Sequence, residues 1–248
     1  MSDTHCKSPL KNWLVSAWLA SPIAGDPPEL DGILAWEMSL RLGLKHAGKT
    51  GRWTPAEEIR DVPIGLAKRT YAGCDMFCCS APILPPLDAP EWTDHTGKRF
   101  ESSKLAAAIA PEYRKSVMTA SGPYKSRFVP VRVRLVPRVC WFIRGNREEV
   151  NKILKSVHSI GLHRAIGYGA VWKWTFDEVE KDYSIFAPHN GKIVLMKALP
   201  LPGRMGARGN FTIDAPYLEN VCGYRVSYGG YRPPYWHPSF QRAVAEPC

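Results

Sequence analysis

The chain has 248 residues, 45% of them hydrophobic, and carries 33 Lys+Arg against 23 Asp+Glu, a formal net charge of +10. That length allows one large domain or two small ones around a sizeable core, and the composition excludes a fibrous or globally disordered chain. The positive balance favours polyanionic partners, most often nucleic acid and less often an anionic membrane surface, although many soluble proteins are basic without such a role.

No membrane segment is expected, because the longest apolar runs, such as Val139–Ile143, fall far short of the ~20 residues of a spanning helix. The start, MSDTHCKSPLKN, lacks the apolar core and small-residue cleavage site of a secretory signal. The seven cysteines are odd in number and irregularly spaced in a chain large enough to fold without staples. That pattern is expected of reduced thiols and a cytoplasmic protein.

The alternation in Asn12–Ser21 predicts a strand, with Trp13, Val15, Ala17 and Leu19 on one face. A helix is expected next. Asp26 is its N-cap, Pro27 suits the first turn and Glu29 completes a capping-box spacing. Leu30, Ile33, Leu34, Trp36, Met38 and Leu42 surround most of that helix, which predicts deep burial.

Residues 50–128 are less regular. VPIGLAKRTY and CDMFCCSAPIL suggest a hairpin with Ala72-Gly73 near its turn, followed by breaks at Pro82, Pro85, Pro86 and Pro90. Glu101–Val117 carries short helical pieces interrupted by Pro111. The region is expected to be a long insertion inside a hairpin. From Val129 the pattern returns, with Val131, Val133 and Leu135 alternating with Arg132 and Arg134 to predict a strand with an apolar and a cationic face. Pro137 interrupts it, and Val139–Ile143 is its more buried continuation.

A second helix follows, capped by Asn146, with Glu148 and Glu149 at the positive end of its dipole. Val150, Ile153, Leu154 and Val157 form its apolar stripe. A glycine-rich loop then leads into the strand AVWKWTF. The order strand, helix, long hairpin, helix, strand is the β-α-β-β-α-β pattern of an α+β, ferredoxin-like fold. It assigns 10–200 to one domain, with a hairpin insertion over about 60–130. The remainder, 201–248, is an irregular extension that includes GRMGARG and the aromatic, proline-rich YGGYRPPYWHP. KIVLMKAL just before it suggests one extra strand.

The glycine loop places Gly161, Gly167 and Gly169 around His163, Arg164 and Tyr168. It leaves a helix and enters a strand, so it is neither a dinucleotide fingerprint nor a P-loop. Its exposed N–H groups and cations suit a phosphodiester, and its tyrosine suits a base. The alternative is that Gly161 is a helix C-cap and the other two ease a tight strand entry. Pro111–Arg138 holds Arg114, Lys115, Lys125, Arg127, Arg132, Arg134 and Arg138 against one acid, Glu112, with Tyr113, Tyr124 and Phe128 interleaved. Cations with aromatics are the usual means of binding single strands. A solvated cationic face is the simpler account of the same residues.

Cys74, Cys78 and Cys79 have no matching Cys or His pair nearby, so they are expected to be buried structural cysteines without a metal. His46, His158, His163 and His189 raise a second reading, a metal-independent endoribonuclease with a histidine as general acid or base. No nucleophile elbow or carboxylate cluster for two-metal chemistry is present in the sequence.

The glycine loop, the basic hairpin and the stretches SPIAGDPPELDGILAWEM, CCSAPILP, TASGPYKSRFVPVRVRLV, SIGLHRAIGYGAVWKW and DYSIFAPHNGK together resemble the RAMP superfamily of CRISPR RNA-binding proteins. In particular they resemble the five-family RAMP subunit of type IV effector complexes. The resemblance implies a non-catalytic subunit that holds the 5′ handle of the CRISPR RNA. Its hairpin thumb would reach over the RNA to the first seven-family backbone subunit. A large subunit would pack alongside near where target DNA enters, and the pair would help sense the motif flanking the target. No cofactor is implied. The residues it assigns to RNA are Gly161, His163, Arg164, Gly167, Tyr168 and Gly169 in the loop, Lys125 and Arg127 in the thumb, and Arg132 and Arg134 on the strand after it. Arg114, Lys115 and Tyr124 join them as further hairpin contacts.

Overall fold

The fold is taken from a computed structural model. It describes residues 9–44, 61–86, 88–98, 127–202 and 215–248, with Lys104, Ala108, Met118, Ala120 and Lys125 as single positions. The molecule is mixed α+β, its sheets mostly antiparallel. Among the described residues, no helix is long and apolar enough to cross a membrane.

Strand β1, Lys11–Leu19, is the centre of the first sheet and follows the expected alternation, with Trp13, Val15 and Ala17 buried. Strand β2 is the short Ile23–Ala24. Helix α1, Leu30–Arg41, begins later than its sequence suggests. Glu29 occupies the N-cap without a side-chain cap bond, and Asp26 instead accepts a hydrogen bond from Arg132. Pro27 and Pro28 therefore precede the helix rather than open it. The expected all-round burial is corrected as well. Leu30 and Leu34 are buried, but Trp36, Leu40 and Leu42 are about half exposed, at 47%, 50% and 53%.

Strands β3, Lys68–Tyr71, and β4, Cys74–Phe77, form the expected hairpin. Its turn residues Ala72 and Gly73 both take positive φ, at 49° and 71°, which matches the right-handed twist of the paired strands. Strands β5, Glu91–Lys98, and β6, Arg127–Arg134, pair antiparallel from Glu91 opposite Arg134 to Lys98 opposite Arg127. Between them, Lys104 and Ala108 are helical; the rest of the expected helical pieces lie outside the described residues. β2 pairs with β6, so the sheet order is β2-β6-β5.

β7, Arg138–Gly145, runs antiparallel to β1. Helix α2, Arg147–Leu154, is capped as expected, with Asn146 Oδ1 accepting from the Glu148 and Glu149 N–H groups at 2.9 and 3.2 Å. Val150, Ile153 and Leu154 are buried. Arg41, in the last turn of α1, donates to the Lys152 and Ile153 carbonyls at 3.2 and 3.0 Å and ties the two helices together. Strand β8, Val171–Glu178, pairs with the other edge of β1. The segment Cys78–Ile83 lies along the free edge of β7. Ser80 N donates to Phe142 O, and Ile83 and Cys140 exchange both backbone bonds. From one side to the other the order is therefore Cys78–Ile83, β7, β1, β8. Trp141, fully buried, sits in the core beneath the helices and donates to Pro28 O at 3.3 Å.

The expectation of an irregular C-terminal extension is corrected. Strand β9, Phe186–His189, turns at Asn190-Gly191 into β10, Lys192–Leu195. Strand β11, Leu199–Pro200, precedes β12, Val221–Cys222, which lies parallel to β10. Strands β13, Tyr224–Gly230, and β14, Gln241–Pro247, pair along their whole length, and β11 joins the other edge of β14. These strands enclose a second core around Leu195, Leu199, Leu201, Leu218, Val244 and Ala245, to which β4 contributes Met76. β11 and β14 meet across some 40 residues of chain, a separation that local periodicity does not reveal.

Candidate nucleic-acid interface

The glycine loop follows α2 at a distance: the helix is capped at Lys155, so Gly161 is not its C-cap, which corrects that alternative. The loop's first segment bonds to β2 and its last to the turn after β1. Leu162 N donates to Ala24 O at 2.9 Å, and Gly169 N donates to Pro22 O at 2.8 Å. Ser21 locks the far side, its hydroxyl donating to Gly167 O at 2.7 Å and accepting from Ala170 N at 2.9 Å. Arg164–Ile166 forms a single 3₁₀ turn in between.

The three glycines do different work. A Cβ on Gly169 would lie 1.8 Å from Ile160 O, and one on Gly161 would meet Ile23 at 2.9 Å and Ala24 O at 3.0 Å. The chain itself needs both positions bare, and both have positive φ, at 63° and 86°. Gly167, φ 99°, has no atom within 4 Å of that point and faces open space. A close approach from outside is therefore confined to Gly167.

His163, in the left-handed region at φ 54°, and Arg164 are exposed, and their side chains meet no hydrogen-bonding or ion-pair partner among the described residues. Tyr168 does not face solvent freely. It packs on Ala24, Val131 and Val133, and its hydroxyl donates to Asp94 of β5. That bond raises the tyrosine pKa and lowers that of Asp94. Through it the loop and the β5–β6 hairpin form one surface.

On the hairpin, Arg132 and Arg134 do sit on the face away from buried Val131 and Val133. They carry partners, however. Glu91 accepts from Arg134 and lies 3.6 Å from Arg132, which also binds Asp26. A phosphate at either guanidinium would compete with those carboxylates. Lys125 is exposed. Arg127 opens β6 opposite Lys98. Arg114, Lys115 and Tyr124 lie outside the described residues, as does His46. His158 and His189 are exposed at separate places, one before the loop and one at the end of β9.

Cys78 and Cys79 are buried, and burial pushes both thiols up; Cys74 is half-buried. Among the described residues, no three His, Cys, Asp or Glu side chains come together as a metal-binding set.

Ser21 and Asp94, which hold the loop in place, do not stand out in the sequence. A serine just after a strand is a weak signal, and an aspartate in a strand takes its meaning only from what lies across from it. Nor does a buried polar cluster at the start of α1. Lys197 Nζ donates to Asp31 Oδ2 at 2.8 Å and to Tyr235 Oη at 3.0 Å, and Tyr235 donates to Asp31 Oδ1 at 2.7 Å. Beside it lies a cavity of about 280 Å³ lined by Glu29, Lys197 and Tyr235. Glu29 is half-buried as a residue, yet its Oε2 has no solvent access and no hydrogen-bond partner among the described residues. Burial pushes the Glu29 carboxyl up to about 7, against the attraction of Lys197.

No protein-family model matches the chain, and no curated protein matches it.

Proposed function

We propose that the chain is a non-catalytic RNA-binding subunit of a CRISPR effector ribonucleoprotein, of the five-family RAMP kind in type IV complexes, and that it holds the 5′ handle of the CRISPR RNA. The strand order Cys78–Ile83, β7, β1, β8, with α1 following β1 and α2 joining β7 to β8, is the arrangement a ferredoxin-like core requires and supports that reading of the fold. In the proposal the β5–β6 hairpin is the thumb that reaches a seven-family backbone subunit. The large subunit and the target DNA near its flanking motif meet the same end of the assembly.

The observation that carries the reading is the pairing pattern of the cations around the loop. Arg132 and Arg134 are held by carboxylates, whereas Arg164 and His163 stand exposed beside open Gly167, on a loop bonded both to β2 and to the hairpin. A fixed loop whose guanidinium forms no ion pair among the described residues suits a phosphate, and Arg offers it a bidentate fork.

The test is binding of the purified full chain to the repeat RNA of its own locus, in EDTA and across a salt series. Binding that weakens steeply with salt and leaves the RNA intact is the expected result. Specific cleavage that Arg164→Ala preserves and His163→Ala abolishes would make the protein a processing endoribonuclease. Absence of binding would overturn the proposal.

A further inference from the structure

Trp18, Arg138 and Lys173 form a row across the first sheet. Trp18 of β1 stands directly opposite Arg138 of β7 on one side and Lys173 of β8 on the other. Side chains opposed in this way are within contact distance of one another. The row lies on the face away from α1 and α2, because its neighbours Val15 and Ala17 point into the helical core and successive strand residues alternate. The Arg138 guanidinium lies 5.2 Å from the centre of the Trp18 ring. Trp172, 64% exposed, leans against the same ring with centroids 6.5 Å apart, and Lys173 Nζ is 5.9 Å from the Trp172 ring centre.

Two features mark this patch. The first is charge beside an exposed ring. Like Arg164 on the glycine loop, Arg138 and Lys173 meet no carboxylate among the described residues, whereas Arg132 and Arg134 on the hairpin are each paired with one. The second is position. β1 runs from Trp18 into Ser21, which bonds Gly167 and Ala170 of the glycine loop, and Trp172 follows that loop by two residues. An exposed indole costs solvation unless something covers it, and unneutralised cations on both sides favour a cover that is aromatic and anionic.

We infer that Trp172 and Trp18, flanked by Arg138 and Lys173, form a stacking shelf for a base of single-stranded RNA, with its phosphates on the two cations. The inference rests on the reading that this chain binds RNA, and it adds a second contact beyond the glycine loop. The strand passes from Arg164 across Gly167 onto the sheet face. Stacking is tolerant of base identity, so the shelf holds the strand without reading its sequence.

The experiment is fluorescence anisotropy of the labelled repeat RNA with the full-length chain and its variants. Trp172 is exposed, so Trp172→Ala leaves the melting temperature nearly unchanged. It weakens binding about tenfold or more, the usual loss for one stacked base, whereas Trp172→Phe recovers most of the affinity. Arg138→Gln and Lys173→Gln each lower the slope of log affinity against log salt by about 0.7. An RNA made abasic at the stacked position binds wild type and Trp172→Ala alike. If wild type binds the repeat RNA and Trp172→Ala binds it equally well, the shelf is overturned while the RNA-binding role stands. If wild type binds no RNA, both fall.

Discussion

Lys197 Nζ stands 2.8 Å from Asp31 Oδ2 while the two side chains are only 1% and 0% exposed. Asp31 belongs to α1 in the first core, and Lys197 lies between β10 and β11 at the second. The ion pair therefore joins the two halves of the molecule with both side chains almost wholly withdrawn from solvent. Burial alone would lower the lysine pKa, but Asp31 and Glu29 outweigh it and hold the ammonium charged. Tyr235, its hydroxyl pushed well up by burial, stays neutral and bridges the pair.

Breaking that pair from one side leaves a buried, uncompensated charge. Lys197→Met is expected to destabilise the protein by roughly 3–5 kcal/mol, measured by urea unfolding. The double variant Lys197→Met, Asp31→Leu should recover much of the loss, because neither charge then remains. A single variant as stable as wild type would show that water reaches the pair.

Glu29 sets a pH dependence with a defined sign. Its folded pKa, about 7, lies above the ordinary 4.5, so the folded state favours the protonated carboxyl. The stabilisation is complete below pH 4.5 and is lost as pH rises through 7. Across that window stability should fall by about 3 kcal/mol. Carboxylates such as Asp61, lowered despite partial burial by Lys68 and Arg232, slope the opposite way at lower pH. The difference between wild type and Glu29→Gln isolates the Glu29 contribution. Parallel stability curves for the two proteins from pH 4.5 to 8 would refute it.

Glycine substitutions in the loop should separate by geometry. Gly169→Ala drives a methyl into Ile160 O and is expected to cost roughly 2 kcal/mol or more. Gly167→Ala meets no atom and bears only its positive φ, about 1 kcal/mol. Thermal melts of the two variants compare them directly. Equal losses would mean that the Gly169 contact relaxes easily.

Arg164 and Arg132 should behave differently toward RNA. Arg164→Ala removes an unpaired exposed cation and is expected to lower the salt slope by about 0.7 while leaving unfolding unchanged. Arg132→Ala removes a cation already held by Asp26, while Glu91 stays paired with Arg134, so its effect on the slope should be smaller. A salt series on each variant reads this difference, and a larger slope change for Arg132→Ala would place the RNA on the hairpin strand rather than on the loop.

Local periodicity was enough to predict β1, the β3–β4 turn, the capped helix α2 and the alternation of β6, since each depends on residues within a few positions of one another. The glycine loop was also visible, as a composition no helix or linker shares. What each glycine does was not, because the groups that crowd Gly161 come from β2, far back in the chain. The same holds for the neutralised Arg132 and Arg134, for the Tyr168–Asp94 bond, and for the row of Arg138, Trp18 and Lys173, whose members are at least 35 residues apart in sequence. Lys197 and Asp31, separated by 166 positions, are an ordinary lysine and aspartate until folding removes their water. The sequence by itself determined the elements with strong local periodicity, such as β1, α2 and β6, and where positive charge collects, but not the strands of the C-terminal region or β5. Tertiary structure decided which charges are paired, which rings are exposed and which backbone must stay bare, because those depend on strand register and desolvation, and both arise only when distant segments meet.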